Sequence, residues 1–265
     1  MYFCSFSSDS SGNSYLIKND NTAILLDVGI SCKKIIAGLK ENQVEPEEVN
    51  AILLTHEHTD HIKSVGTIRK KATGASFYLS AGTKAALDTS NFDERCNTVS
   101  KGESFQVGDI TVNAFGLSHD AREPIGYSFQ DQEGKLVVVT DTGIVTEEIF
   151  EEIKTADLLV IEANHEVNIL RMGDYPYQVK RRILGDQGHL SNETAGKCIS
   201  KYIEAKKGQG KMPKILLAHM SQRNNTPTQA YLTIRNILEE KDLLIERDFK
   251  MDIIVKDQLS PKFEV

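Results

Sequence analysis

Residues 56–61, with the sequence His-Glu-His-Thr-Asp-His, constrain this chain more than any other feature. They follow the apolar run at 51–54 after one residue, Thr55, and this run has the character of a buried strand. In α/β proteins, functional groups are commonly placed in loops at the carboxyl ends of such strands. Imidazole and carboxylate together suit Zn, Mn or Fe. The zincin motif is excluded, because Asp60 stands where its second histidine would be. The segment therefore predicts a metal-binding loop, and the simpler alternative is a polar surface loop.

Three further candidate ligands each lie at the end of an apolar, strand-like run. Taken alone, a histidine in such a place is more often structural, and Asp-Thr-Gly is more often a turn or a helix start. Their common position at strand ends, in one chain with the histidine-rich loop, favours a shared site. The three are His119 after 110–117, Asp141 after 135–140 and His219 after 214–218.

The composition limits the class of protein. A chain of 265 residues is long enough for one large domain or two small ones, and we expect one domain over 1–265. No apolar run approaches the ~20 residues that cross a membrane, and the first residues do not resemble a signal peptide. Four cysteines without a Cys-x-x-Cys pair favour reduced thiols and a cytoplasmic location. The net charge of -7 argues against coating nucleic acid through bulk charge, but allows a local basic strip.

Strand-like runs alternate with helical patterns in both halves of the chain, which predicts two β-rich sheets faced by helices. Ser31 is a plausible N-cap of the first helix. Residues 10–14 have the composition of a hairpin turn. The clearest strands are 2–5, 15–18, 22–27, 76–79 and 158–162, and the clearest helices are 31–39, 62–71, 81–88, 146–154, 177–184, 192–207 and 226–239.

The spacing His-x-His-x-Asp-His, followed in order by a lone histidine, an aspartate and a last histidine, resembles the signature of the metallo-β-lactamase superfamily. The resemblance implies an α/β fold, an αββα sandwich of two mixed β-sheets flanked by helices. It also implies two divalent metal ions, Zn²⁺ or Mn²⁺, with Fe possible. The implied ligands are His56, His58 and His119 for one ion, Asp60, His61 and His219 for the other, and Asp141 as a bridge.

Two smaller motifs take their meaning from the same resemblance. Asp27, in Asp-Val-Gly, matches an early aspartate of the family that would orient the imidazoles of the metal loop by hydrogen bonds; the alternative is a turn that ends a strand. The turn at 10–14 would border the metal site.

Residues 159–166 and 180–192 resemble the YycJ/WalJ branch of the superfamily, cytoplasmic bacterial proteins regarded as nucleases, including 5′-to-3′ DNA exonucleases. Relatives that process tRNA ends carry a glutamate and a histidine that help to protonate the leaving group, and the matching residues are Glu162 and His189. His189 could instead be an exposed residue before a helix. Further candidates for substrate binding are the basic cluster Lys180, Arg181 and Arg182, otherwise a solvated helix face, and the cap residues Ser191 and Asn192.

We therefore predict a metal-dependent phosphodiesterase that acts on nucleic acid, with DNA favoured over RNA and a 5′-to-3′ exonuclease favoured within that class. A metal-bridged hydroxide would attack phosphorus, with Asp60 and Glu162 assisting and His189 protonating the leaving sugar oxygen. No membrane partner is expected. The alternatives are a hydrolase of small phosphodiesters or thioesters, an RNA-processing nuclease, and a metal-binding regulatory protein without catalysis. Glyoxalase-type thioesterases share all seven ligands, so only the Glu162–His189 pair and the basic cluster argue against them.

Overall fold

The computed structural model describes residues 1–87 and 94–265, and these divide into two compact units. The first unit contains residues 1–116, 121–133 and 255–265, and the second contains 117–120 and 134–254. The expectation of one domain over 1–265 stays a prediction. The last residue of the helix predicted at 81–88 lies outside the described residues.

The described strands belong to two sheets of seven strands each, and both sheets are mixed. The first sheet has the order β14-β1-β2-β3-β4-β5-β6, antiparallel from β14 to β3 and parallel from β3 to β6. The second contains β7–β13. Its strands in the first unit form an antiparallel meander, β7-β8-β9, and those in the second unit are parallel, β10-β11-β12-β13.

The elements of the first unit are mostly short. Its strands are β1 Tyr2–Ser7, β2 Ser14–Lys18, β3 Ala23–Leu26, β4 Ala51–Leu53, β5 Ser76–Leu79, β6 Cys96–Thr98, β7 Ser104–Val107, β8 Ile110–Gly116, β9 Ile125–Gln130 and β14 Phe263–Glu264. Its helices are α1 Cys32–Glu41, a 3-10 turn Pro46–Glu48, α2 Thr59–Ile62, α3 Val65–Ile68 and α4 Ala81–Ala86.

The second unit alternates strands with helices. Its strands are β10 Lys135–Val139, β11 Leu158–Glu162, β12 Lys214–Ala218 and β13 Lys250–Ile253. Its helices are α5 Glu147–Ile153, α6 Val167–Met172, α7 Tyr177–Ile183, α8 Asn192–Lys206 and α9 Pro227–Glu239.

Helix α1 shows how the sequence fixes an element of the first unit. Ser31 is its N-cap and accepts a hydrogen bond from the backbone N–H of Lys34, as predicted. Ile35 and Leu39 lie on one face and are fully buried in the core of this unit. Gly38 lies so close to Phe6 that a Cβ at this position would come within 2.6 Å of the phenyl ring. The strands of the sheet are therefore covered by a helix whose first residues were predicted from the sequence.

The parallel strands of the second unit place functional side chains at one edge. Strand β11 is buried along its whole length, as expected for a central parallel strand, and it pairs in register with β10 and β12. Glu162 is the last residue of β11, and it lies opposite Ala218, the last residue of β12. Asp141 and His219 follow the ends of β10 and β12, so all three polar groups converge at the carboxyl edge of these strands.

One predicted helix is wrong. The pattern at 62–71 predicted a continuous helix, whereas the structure has two single-turn helices, α2 and α3, separated at Ser64. Ser64 leaves helical geometry, with φ -103° and ψ 8°, because its backbone N–H donates to Val28 and its hydroxyl to Ile30. These bonds connect the segment after the metal loop to the segment after β3. Because they join residues distant in sequence, local helix propensity does not predict them.

Candidate metal centre and active site

The metal loop of the first unit brings three imidazoles together. The Nε2 atom of His56 lies 3.0 Å from Nδ1 of His58, and the rings of His56 and His61 have centroids 4.2 Å apart. His56 and His61 have no solvent exposure. The Nε2 atom of His61 also lies 3.4 Å from a carboxylate oxygen of Asp60. Buried, closely spaced imidazoles beside a carboxylate are a donor set that suits a divalent cation.

Asp27 orients His61. Its Oδ2 atom accepts a 2.7 Å hydrogen bond from Nδ1 of His61, and its Oδ1 atom accepts one of 2.9 Å from the backbone N–H of Thr55. A carboxylate on Nδ1 leaves Nε2 as the nitrogen that can bind a metal. This geometry supports the role that the family resemblance implied for Asp27.

The turn at 10–14 holds the backbone of the metal loop, which sequence reasoning did not assign in detail. The backbone N–H of Asn13 donates to the carbonyl of Asp60 at 2.8 Å, and the carbonyl of Asn13 accepts from Gly29 at 2.8 Å. The side-chain amide of the buried Asn13 lies 3.2 Å from Nε2 of His61. A Cβ at Gly29 would be 1.6 Å from the carbonyl oxygen of Asp60, so only glycine fits there. The sequence signal for this contact was the Asp-Val-Gly motif itself.

In the second unit, four side chains form a compact cluster. Each of Asp141, Glu162, His189 and His219 offers one ligand-type atom, and these atoms lie within 4.8 Å of one another. Asp141 and His219 adopt left-handed backbone conformations, with φ of 59° and 52°. Such φ values are uncommon for residues other than glycine, and they concentrate at functional sites. The strand ends are thus bent so that both side chains turn toward the cluster.

Glu162 is the centre of this cluster. Its Oε1 atom accepts hydrogen bonds from Nδ1 of His189 at 2.6 Å and from Nδ1 of His219 at 2.8 Å. Its Oε2 atom accepts from the backbone N–H groups of Thr142 and Leu190 at 3.3 and 3.2 Å. Burial alone would raise the pKa of Glu162, but the charge of His189 and the bonds from both histidines outweigh it and hold the pKa below its usual value. Glu162 is therefore an anion that fixes two imidazoles at once.

His189 is placed to carry a proton. Burial lowers its pKa, but the charge and hydrogen bond of Glu162, together with Asp141, outweigh burial and raise the pKa above its ordinary value. Its side chain remains 17% exposed, unlike that of its partner Glu162. The charged form of this imidazole is thus stabilised relative to that of a free histidine, while one side of the ring stays accessible. These are the properties of a general acid.

His119 lies beside the same cluster. Its ring centroid is 5.0 Å from that of His189, and its Nε2 atom is 3.8 Å from Oδ1 of Asp141. Its Nδ1 atom donates to the carbonyl of Gly188 at 3.1 Å, which leaves Nε2 as the ligand nitrogen. Burial is the main cause that lowers the pKa of His119, so this imidazole is held neutral, the form that binds metal.

The three residues of the basic cluster differ in the contacts that their side chains make. The ammonium of Lys180 donates to the carbonyl of Arg171 at 2.7 Å, and the guanidinium of Arg182 forms a two-point ion pair with Asp120. Arg181 is exposed and lines an open depression of about 620 Å³ together with Asp120 and Arg182. Of the three cations, Arg181 is the one for which residues 1–87 and 94–265 provide no hydrogen-bond or ion-pair partner.

Ser191 and Asn192 make contacts within the protein. Ser191 is the N-cap of α8 and accepts from the backbone N–H of Thr194. Asn192 is fully buried, and its amide binds Glu166 and Asn225. Substrate binding by these two residues stays a prediction, since their polar atoms already have partners.

Comparisons with known proteins define the class. The family model of the beta-lactamase superfamily domain matches residues 22–207. The chain is 37% identical over 263 residues to exodeoxyribonuclease WalJ of Streptococcus pneumoniae strain R6, covering 97% of this chain and 96% of that protein. It is 36% identical over 254 residues to exodeoxyribonuclease YycJ of Bacillus anthracis, covering 95% and 94%. The chain therefore belongs to the metallo-β-lactamase superfamily. Within it, the chain falls in the WalJ/YycJ branch.

Solved structures support the same fold. The metallo-beta-lactamase fold protein YhfI from Bacillus subtilis superposes with a TM-score of 0.71 at 14% identity, covering 99% of this chain and 100% of that one. The expected αββα fold class is confirmed. In the part of the chain that the structure describes, no helix has the length and apolar character needed to span a membrane.

Proposed function

We propose that this protein is a metal-dependent exodeoxyribonuclease that releases nucleotides from the 5′ end of DNA. The observation that carries the proposal is the Glu162–His189 pair beside Asp141 and His219, a proton donor held next to a set of metal ligands. The relatives at 36–37% identity are exodeoxyribonucleases by name, which supports the same substrate class.

The proposal includes two divalent ions per chain. Imidazoles held through Nδ1, at His61, His119 and His219, fit this group because a partner on Nδ1 makes Nε2 the coordinating nitrogen. The sharing of ligands is taken from the family resemblance: His56, His58 and His119 for one ion, Asp60, His61 and His219 for the other, and Asp141 for both. When bound, such ions lower the pKa of water and neutralise charge on a phosphodiester.

The residues of this chain supply the proton for the leaving group. A sugar alkoxide is a poor leaving group, so its departure is faster when an acid protonates the oxygen. Glu162 stabilises the protonated form of His189, and the ring presents its Nε2 side because Nδ1 is engaged by the carboxylate. Glu162 itself is buried and acts through the two histidines. A thioester hydrolase, the alternative with the same ligands, has a thiolate leaving group that needs no such donor.

The test is a cleavage assay with matched substrates. Single-stranded DNA and RNA of one sequence are labelled at either end and incubated with the purified protein in Mn²⁺ or Zn²⁺. We expect mononucleotides to appear first from the 5′ end of DNA, with RNA cleaved more slowly. The His219→Ala variant is the control for contaminating nucleases. Hydrolysis of an acyl-glutathione thioester without DNA cleavage would overturn the proposal.

A further inference from the structure

Helices α6 and α7 expose apolar side chains to an unusual degree. Met172 is 82% exposed and Tyr177 is 77% exposed. Four of the ten exposed large hydrophobic residues among those described lie between positions 169 and 184. Helix α7 buries none of its residues, and α6 buries only Leu170. An exposed apolar cluster of this kind marks an interaction site rather than part of a core.

The exposed side chains share helix faces. On α7 and its C-cap, Tyr177, Arg181 and Leu184 are spaced at i, i+4 and i+7, which places them along one side of the helix. On α6, Ile169 and Met172 are spaced at i and i+3. We call these five residues the α6–α7 surface. It presents one cation, one phenol ring and three aliphatic or thioether side chains.

The other cations of this segment hold the surface in place. Lys180 links α7 to α6 by a hydrogen bond to the carbonyl of Arg171, and Arg182 links α7 to Asp120 by an ion pair. The segment 167–184 contains four cationic residues against one aspartate, in a chain whose net charge is -7. The charge of this segment is therefore opposite in sign to that of the whole protein, which favours contact with a polyanion.

The C-terminal end of α7 is hydrogen-bonded to the segment that carries the proton donor. The backbone N–H of His189 donates to the carbonyl of Ile183 in α7 at 3.1 Å. The next turn of chain contributes Gly188, whose carbonyl accepts from Nδ1 of His119. A strand of nucleic acid whose reacting phosphate lies at His189 would thus have its neighbouring nucleotides beside α7.

We propose that the α6–α7 surface binds the unpaired nucleotides of single-stranded DNA next to the phosphate that is cleaved. Bases stack on the ring of Tyr177, with Met172 as a second apolar contact, and Arg181 binds the backbone phosphate. Aromatic stacking combined with cations is the recognition mode of single strands, because every unpaired base exposes a π face. The bases of an intact duplex are stacked on one another and offer this face only at their ends. The inference rests on the proposed nuclease function and specifies its substrate form.

The test uses oligonucleotides with 2-aminopurine at successive positions from the 5′ end. The His189→Ala background prevents rapid cleavage. Stacking on Tyr177 quenches 2-aminopurine at one or two positions. We expect Tyr177→Ala to abolish that quenching and to raise Kd for single-stranded DNA about ten-fold. Tyr177→Phe should retain both the quenching and the affinity for single-stranded DNA, since bases stack on the ring and the hydroxyl is not needed. Leu232→Ala, an exposed apolar residue of α9, is the matched control and should behave as the parent.

Arg181 gives an independent measurement. Arg181→Ala should reduce the slope of log Kd against log salt by about one phosphate contact. Lys201→Ala, an exposed cation on α8, should leave the slope unchanged. The inference falls if Tyr177→Ala leaves single-strand affinity unaltered while the wild-type protein still cleaves DNA. Two other results would also contradict it. Tyr177→Ala could disrupt self-association in sedimentation without changing DNA affinity, or it could weaken binding of blunt-ended duplex DNA as much as binding of single-stranded DNA. Absence of any DNA cleavage by the wild type would instead refute the proposed function.

Discussion

Replacement of Glu162 by glutamine should impair both proton donation and metal binding. The carboxylate accepts from His189 at 2.6 Å and from His219 at 2.8 Å, and a neutral amide cannot supply these two bonds with the same strength. A hydrogen bond to a charged group contributes about 1.5–3 kcal/mol. Loss of about 2.7 kcal/mol at His189 in the transition state corresponds to a decrease of about 10²-fold in kcat/KM on DNA.

The pH profile separates this role from a purely structural one. Glu162 raises the pKa of His189, against the opposing effect of burial, so the acid form persists to higher pH in the wild type. Without the carboxylate, the pKa of His189 should fall and the acid form should be lost at lower pH. The alkaline limb of the activity profile should therefore move toward lower pH in Glu162→Gln. Metal affinity should also fall, by about 10- to 100-fold, because His219 loses the partner that orients it.

The assay combines initial rates on single-stranded DNA across pH with elemental analysis after dialysis. Glu166→Gln is the matched control, because Glu166 binds Asn192 and Thr233 and no histidine of the cluster. An unchanged alkaline limb together with unchanged metal content in Glu162→Gln would refute this account of the carboxylate.

Three further outcomes are expected. His189→Ala should slow DNA cleavage by about 10²-fold or more while sparing bis(p-nitrophenyl) phosphate, whose leaving group needs no proton; equal losses on both substrates would point to positioning instead. Gly29→Ala should lower both the melting temperature and metal content, because its Cβ overlaps the carbonyl of Asp60, and a variant with wild-type metal content would contradict that contact. Burial raises the pKa of Cys198 to about 12, so iodoacetamide at pH 8 should modify Cys32 and not Cys198 in the folded protein, as read by mass spectrometry.

The strand ends were predictable because apolar runs and the polar residues after them are legible in sequence. Strands at 158–162 and 214–218 have the predicted bounds. The register that brings Glu162 opposite Ala218 depends on parallel pairing, which no local pattern encodes. The double role of Glu162 was missed for this reason, since His189 and His219 lie 27 and 57 residues away in the chain.

Other features of the site depend on contacts distant in sequence. Asp27, Asp141 and His219 adopt left-handed backbone conformations although none of them is glycine, so the sequence does not indicate these conformations. The surrounding structure imposes them. The sequence predicted substrate binding for the basic cluster as a whole, but Arg182 is paired with Asp120 and Arg181 is not. Residue type predicted the charge of this segment, whereas the partner of each cation was determined by tertiary structure.

The most direct test of the central claim is a metal titration of stripped protein, with DNA cleavage measured at each addition. If Asp141 serves two divalent ions, as proposed, binding should saturate near two equivalents per chain and activity should rise with the second equivalent. Asp141→Asn should weaken both binding events, because one carboxylate would serve both ions. Full activity at one equivalent, or cleavage by the stripped protein in the presence of chelator, would contradict the account.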